Sequence, residues 1–180
     1  MIGVWLWSAA WADPVALRGL RDEPTVVLGL HDLSASIRLG EVGVAATVRT
    51  DRGAVDVAVG RRWQLRRGSR GWQIDGGVSG GLIVPLVRPT LGLTATPFIA
   101  AGPVQSGWAI QGVIAAPLAV TAVGEARLPL LFELQGAGTV GRVTIGPRFG
   151  VGPVVTPGTD TSFATEGALV VSLAPKHVTR

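Results

Sequence analysis

The chain of 180 residues contains no cysteine and no tyrosine, and its only lysine is Lys176. Without cysteine, a disulfide framework and thiol chemistry are both excluded, and the redox compartment is left open. The sequence pI of 11.2 reflects these missing titratable groups, because the net charge is only +4. Such a charge gives a weak electrostatic footprint, so we expect no nucleic-acid partner.

Long apolar runs are missing as well. Hydrophobic residues make up 47% of the chain and the mean hydropathy is +0.43, yet no uninterrupted run reaches the roughly 18 residues that a membrane-spanning helix needs. From Leu33 onward, apolar residues alternate with polar or small ones, and Gly, Pro and Asp punctuate the alternation. A period of two indicates β-strands, and the length is that of one domain.

The predicted fold is all-β: an antiparallel up-and-down β-barrel of about eight strands, with ten possible. Turn signals place the eight strands at 33–50, 53–67, 71–87, 89–101, 105–121, 124–136, 139–155 and 161–174. The barrel is expected to occupy residues 33–174, followed by a tail at 175–180. Residues 13–32 form either an N-terminal extension or a further hairpin split at Pro24, which would raise the count to ten.

The first twelve residues resemble the remnant of a secretory signal peptide. Residues 2–7 are apolar, and small residues follow, ending in Ala10-Trp11-Ala12 before Asp13. This pattern predicts export with cleavage before Asp13. A buried N-terminal strand or helix is the alternative.

Alternation alone fits both a soluble barrel with an apolar interior and a membrane barrel with an apolar exterior. The composition of the polar face has to distinguish the two. This face is rich in Gly, Ala, Ser and Gln, which suits a narrow lumen better than a water-facing surface. The four carboxylates and four arginines of this face balance in charge, as a closed lumen requires. They are Asp56, Arg62, Asp75, Arg127, Glu133, Arg142, Arg148 and Glu166. A solvated outer face with the same balance by chance is the alternative.

The large aromatic residues fall on the apolar face in two groups. Trp63, Trp72, Trp108 and Phe132 are predicted toward the end of the barrel that carries both termini. Phe149 and Phe163 are predicted toward the other rim. Two aromatic groups separated by aliphatic residues are typical of membrane-interface girdles, although a tryptophan cluster in a soluble core would give the same pattern.

Arg61 interrupts the apolar face, since it points with Val59 and Trp63, and it is tolerable only if its side chain reaches the rim. Arg66, Arg67 and Arg70 form a local cluster that could bind an anionic lipid head group, although a solvated turn is the favoured explanation.

Over residues 33–174 this architecture resembles the small eight-stranded outer-membrane β-barrels of Gram-negative bacteria. The resemblance implies an outer-membrane location, with a secreted or periplasmic location as the alternative, and membrane lipid as the partner. It implies a non-enzymatic structural or anchoring role with a lumen plugged by side chains. Protein partners are not predicted.

Two other functions stay open. One is a secreted soluble barrel that binds a small apolar ligand, and the other is a barrel-embedded lipid-modifying enzyme that uses His31. Adjacent residues on a strand point apart, so His31 and Asp32 make a poor catalytic pair, and no acidic cluster has metal-loop spacing. We therefore predict no catalytic residue, no metal and no cofactor.

Overall fold

The computed structural model describes residues 25–29, 32–39, 41–49, 53–86, 91–105, 107–122, 124, 126–158 and 161–173. The predicted signal-peptide remnant at 1–12, residues 13–24, His31 and the tail at 175–180 lie outside the described residues.

Within these ranges the chain forms twelve β-segments and one short 3-10 turn, η1 (Ser69–Gly71). The segments are β1 (Thr25–Gly29), β2 (Asp32–Leu39), β3 (Val42–Arg49), β4 (Ala54–Arg67), β5 (Trp72–Pro85), β6 (Gly92–Pro103), β7 (Trp108–Ala115), β8 (Leu118–Thr121), β9 (Ala126–Pro129), β10 (Leu131–Val140), β11 (Val143–Val155) and β12 (Ser162–Leu173).

Neighbouring strands pair antiparallel in chain order, and β1 pairs with β12 from Thr25↔Ser172 to Gly29↔Ala168, which closes the sheet. Segments β7 and β8 are parts of one strand, because both pair with β6 and only residues 116–117 separate them. Segments β9 and β10 are likewise parts of one strand that pairs with β11. Pro117 and Pro129 lie at these breaks, where a missing N–H interrupts the ladder. The predicted all-β antiparallel barrel is confirmed, with ten strands in the described part of the chain.

The expectation of a single strand over 33–50 is wrong, because this stretch folds as the hairpin β2–β3. Leu39 lies opposite Val42, so only two residues connect the strands. The apolar positions change parity across this connection: Leu33 and Ile37 are exposed at odd positions, whereas Val44 and Val48 are exposed at even positions. A hairpin with a two-residue connection produces such a change. The tenth strand is β1. It follows Pro24 within residues 13–32, where a further hairpin was one of the two predictions.

Strand heights differ around the barrel. Segments β2 and β3 have eight residues each, whereas β4 and β5 have fourteen each. We call the end that carries the connections β2–β3, β4–β5, β6–β7 and β10–β11 the lower rim. Val42 at the start of β3 lies opposite Arg61, so β4 continues past β3 by six residues, as far as Arg67. The lower rim therefore has a step between β3 and β4.

Burial alternates along the strands, with apolar side chains outside and small or polar side chains inside. The outward face of β6 carries Leu93, Pro97 and Ile99, while Thr94 and Thr96 are buried inside. Two small apolar clusters also lie inside the barrel. One consists of Phe98, Ala100, Val113 and Ala115, and the other of Ala119, Leu131, Val154 and Ala164.

Candidate functional site

The inward face of the barrel holds a network of charged and amide side chains around Asp75. The Asp75 carboxylate is fully buried and forms an ion pair with the buried guanidinium of Arg62 on the neighbouring strand. Gln73 donates from Nε2 to both Asp75 oxygens, at 2.7 and 2.9 Å. Gln111 Nε2 lies 3.5 Å from Asp75 Oδ2, and Gln135 Nε2 donates to Gln111 Oε1 at 3.2 Å. A chain of polar contacts thus runs from β4 to β10.

A second cluster centres on Arg148 of β11. Its Nη2 donates to Glu166 Oε2 at 2.9 Å, and its Nε lies 3.8 Å from Glu133 Oε2. Arg148 and Glu133 are buried, and the Glu166 side chain is 12% exposed. Because Gln135 lies opposite Arg148 in the β10–β11 register, the two clusters are neighbours on the barrel wall. Charges removed from water are stabilised only when such partners are present.

An aromatic ring packs across the interior next to the Asp75 cluster. Phe98 is buried on β6 opposite Gly77, and Gly77 lies opposite Arg62. A Cβ on Gly77 would overlap the Phe98 ring and would come within 2.6 Å of the Arg61 carbonyl oxygen. The glycine at this position therefore makes room for the ring inside a narrow barrel.

The predicted interior set has three further members. Asp56 is fully buried near the upper end of β4, and Arg127 is half-buried on β9, two residues from buried Pro129. Arg142 is exposed in the turn between β10 and β11, so its predicted interior position is wrong. The physical reason is that β10 runs to Val140, opposite Val143, which leaves residues 141–142 to form the connection; Gly141 there has a φ of 61°.

All six predicted girdle residues point outward and are exposed. Trp72 and Trp108 begin their strands at the lower rim, and Trp63 lies four residues from the lower end of β4. Phe163 lies at the upper end of β12.

Phe132 and Phe149 do not lie at a rim. Phe149 is six residues from either end of β11, and Phe132 is eight residues from the lower end of its strand. The prediction placed Phe132 near the lower end because it ended this strand at residue 136, whereas the strand runs to Val140.

The arginines of the lower rim have different surroundings. Arg66 and Arg67 are exposed at the end of β4, and the side chain of Arg70 is outside the described part. Arg61 is exposed and donates from Nε and Nη2 to Glu41 Oε2, at 2.9 and 2.6 Å. Its guanidinium carbon lies 5.5 Å from the centre of the Trp63 ring. The irregular outward arginine thus lies at the step in the rim, where it has an acidic and an aromatic partner.

Among the described residues, no group of three or more His, Cys, Asp or Glu side chains is placed to hold a metal ion. In the same ranges, no helix is long and apolar enough to cross a membrane. Comparisons with protein-family models, with curated proteins and with solved structures gave no match.

The residues that sequence reasoning missed are the amides and the ring of the interior. Gln73, Gln111 and Gln135 connect the charged groups, and Phe98 packs beside them. Their position in the alternation is the signal that could have identified them, because each lies on the same face of its strand as a predicted interior charge or a small residue. The polar face is predicted to be rich in Gln, but the alternation does not show which glutamine contacts which charged group.

Proposed function

We propose that this protein is a membrane β-barrel that exposes its apolar wall to lipid and fills its interior with its own side chains. One observation carries the proposal: the large apolar side chains are exposed around the wall, while Asp56, Asp75, Arg62 and Arg148 are buried. A water-soluble protein rarely exposes a continuous apolar surface larger than a few hundred Å². In lipid the same surface needs no further cover.

The role we propose is structural or anchoring, and non-enzymatic. A barrel of about eight strands has an interior just wide enough for side chains, whereas barrels of roughly 16 strands leave an aqueous channel. Ten strands lie near the narrow end of this range. The Asp75 network, the Arg148 cluster and the Phe98 ring occupy the interior and support a closed lumen. The location that we propose is the outer membrane of a Gram-negative bacterium, where closed β-barrels of this kind span the bilayer.

The test is insertion into lipid vesicles followed by flotation and a conductance measurement. We expect the folded chain to float with vesicles, to resist extraction by alkaline carbonate, and to add no steady ion conductance to a planar bilayer. Folded protein that stays in the detergent-free aqueous phase would reject the membrane proposal and favour a secreted barrel. Insertion with a steady conductance would reject the closed lumen alone.

A further inference from the structure

The outer wall carries an open depression of about 500 Å³ above the step in the lower rim. Val59, Gly80 and Ala95 line its upper part on β4, β5 and β6, in the rows defined by the pairs Val59↔Gly80 and Gly80↔Ala95. Val78 lines it one row lower, opposite Arg61. The depression is open along the wall rather than enclosed. Its lining is almost entirely apolar, so it fits a hydrocarbon chain.

Glycine creates this depression. Gly80 points outward, and the nearest atom to a Cβ added there is the Thr94 carbonyl oxygen at 3.6 Å. A larger residue would therefore project into the open space of the depression rather than into the wall. Val78, two residues before Gly80 along the strand, is exposed and also lines the depression.

Two opposite charges lie at the lower end of the depression. Arg61 and Trp63 line this end, and Glu41 follows in the adjacent β2–β3 turn. The Arg61 and Glu41 side chains are 57% and 54% exposed. Among the described contacts, Arg61 uses Nε and Nη2, and Glu41 uses Oε2, which leaves Arg61 Nη1 and Glu41 Oε1 available to a ligand.

We propose that this depression binds one phospholipid with a primary-amine head group, of the phosphatidylethanolamine class. The lipid phosphate would accept from the Arg61 guanidinium, the ammonium would donate to the Glu41 carboxylate, and an acyl chain would lie over Gly80 and Ala95. The inference rests on the proposed membrane location. The polar end is level with the lower end of β3 and the apolar part lies higher on the wall, so a lipid bound here would have its head group toward the lower rim.

The paired charges select this head group over two others. A choline head group has no N–H to donate to Glu41, and a glycerol head group has no positive charge to offset the repulsion between Glu41 and the lipid phosphate. The Arg61–Glu41 pair does not block the site, because exposed ion pairs are weak. We expect a preference for the amine lipid of about two- to fivefold, the ratio that corresponds to one exposed ion pair.

The experiment measures lipids retained by the full chain in native mass spectrometry. The protein is first inserted into vesicles that contain equal amounts of phosphatidylethanolamine, phosphatidylcholine and phosphatidylglycerol with identical acyl chains, and flotation is recorded on the same sample. The variants are Gly80→Leu, which fills the depression, and the double substitution Arg61→Gln with Glu41→Gln, which removes both charges. Gly136→Leu is the matched control, since nothing lies within 4 Å of a Cβ added to this glycine on β10. Far-UV circular dichroism checks folding.

We expect the wild type and Gly136→Leu to retain one amine lipid in preference to the other two. The double variant should retain all three equally, and Gly80→Leu should lose the bound lipid. Equal retention of the three lipids by floating wild type, or equal behaviour of Gly80→Leu and Gly136→Leu, would overturn the site and leave the membrane proposal intact. Wild type that does not float would reject both. If Gly80→Leu does not fold, the double variant decides the outcome alone.

Discussion

The two faces of β5 consist of alternate residues of the same fourteen-residue segment and have opposite compositions. Trp72, Val78 and Leu82 are exposed on the outward face, whereas Asp75 and Ser79 are buried on the inward face. In a soluble barrel the exposed set would be polar and the buried set apolar. The comparison shows that this wall buries its charged side chains inside the barrel, where protein partners satisfy them, and exposes its large apolar side chains on the outside.

The largest expected effect is the loss of a buried charge from the inward face. Arg148→Met leaves buried Glu133 and half-buried Glu166 without the guanidinium they share, so we expect a loss of about 3–5 kcal/mol in the free energy of unfolding. Urea unfolding in micelles measures it. Arg66→Met, at an exposed position, is the control and should stay within about 0.5 kcal/mol. A similar small change for Arg148→Met would place this side chain in water.

A charge placed on the outward face is the second test. Ile114 is exposed on β7, toward the middle of a strand that runs from Trp108 to Thr121. In a bilayer, Ile114→Arg should cost about 2–4 kcal/mol, because the guanidinium would lie in hydrocarbon. Val140→Arg at the lower rim is the control and should cost about 0–1 kcal/mol. Equal costs for the two substitutions in vesicle-inserted protein would show that no hydrocarbon layer surrounds the wall.

A smaller effect on stability is expected from alanine substitutions at two glycines of β5, which lie three residues apart on opposite faces. Gly77→Ala brings a methyl group against the Phe98 ring and the Arg61 carbonyl, so we expect a loss of about 1–3 kcal/mol. Gly80→Ala meets only the Thr94 carbonyl at 3.6 Å and should be neutral or slightly stabilising. The midpoints of urea unfolding measure the difference, compared between variants whose unfolding free energies depend equally on urea concentration. If Gly77→Ala proves as well tolerated as Gly80→Ala, the interior is less densely packed than the structure indicates.

The sequence alone predicts the sorting of residues into faces, because alternation is a local property of each strand. Position in the alternation assigns Asp56, Arg62 and Glu133 to the inward face, and the structure buries them there. It assigns Trp63 and Trp108 to the outward face, where both are exposed. The strand count is harder to predict. The β2–β3 connection at residues 40–41 is short, and its sequence signals are a single glycine and the change of parity between Leu39 and Val42.

Contacts between strands that are distant in sequence could not be predicted from the alternation. Arg62 contacts Asp75 because the β4–β5 hairpin brings them together. Gln111 on β7 contacts Asp75 across β6, and this contact depends on the register of β5, β6 and β7. The depression beside Arg61 depends on the same register and on the difference in height between β3 and β4. These features follow from the pairing of whole strands, which a period of two does not specify.

The most direct test of the central claim asks what surrounds the outward tryptophans. In a variant in which Trp5, Trp7 and Trp11 are replaced by Phe, emission reports on Trp63, Trp72 and Trp108 alone. If the wall faces lipid, phospholipids brominated near the head of the acyl chain should quench these indoles strongly, and phospholipids brominated near its tail should quench them less. Emission that brominated vesicles leave unchanged, from protein that stays folded in detergent-free buffer, would contradict the membrane barrel.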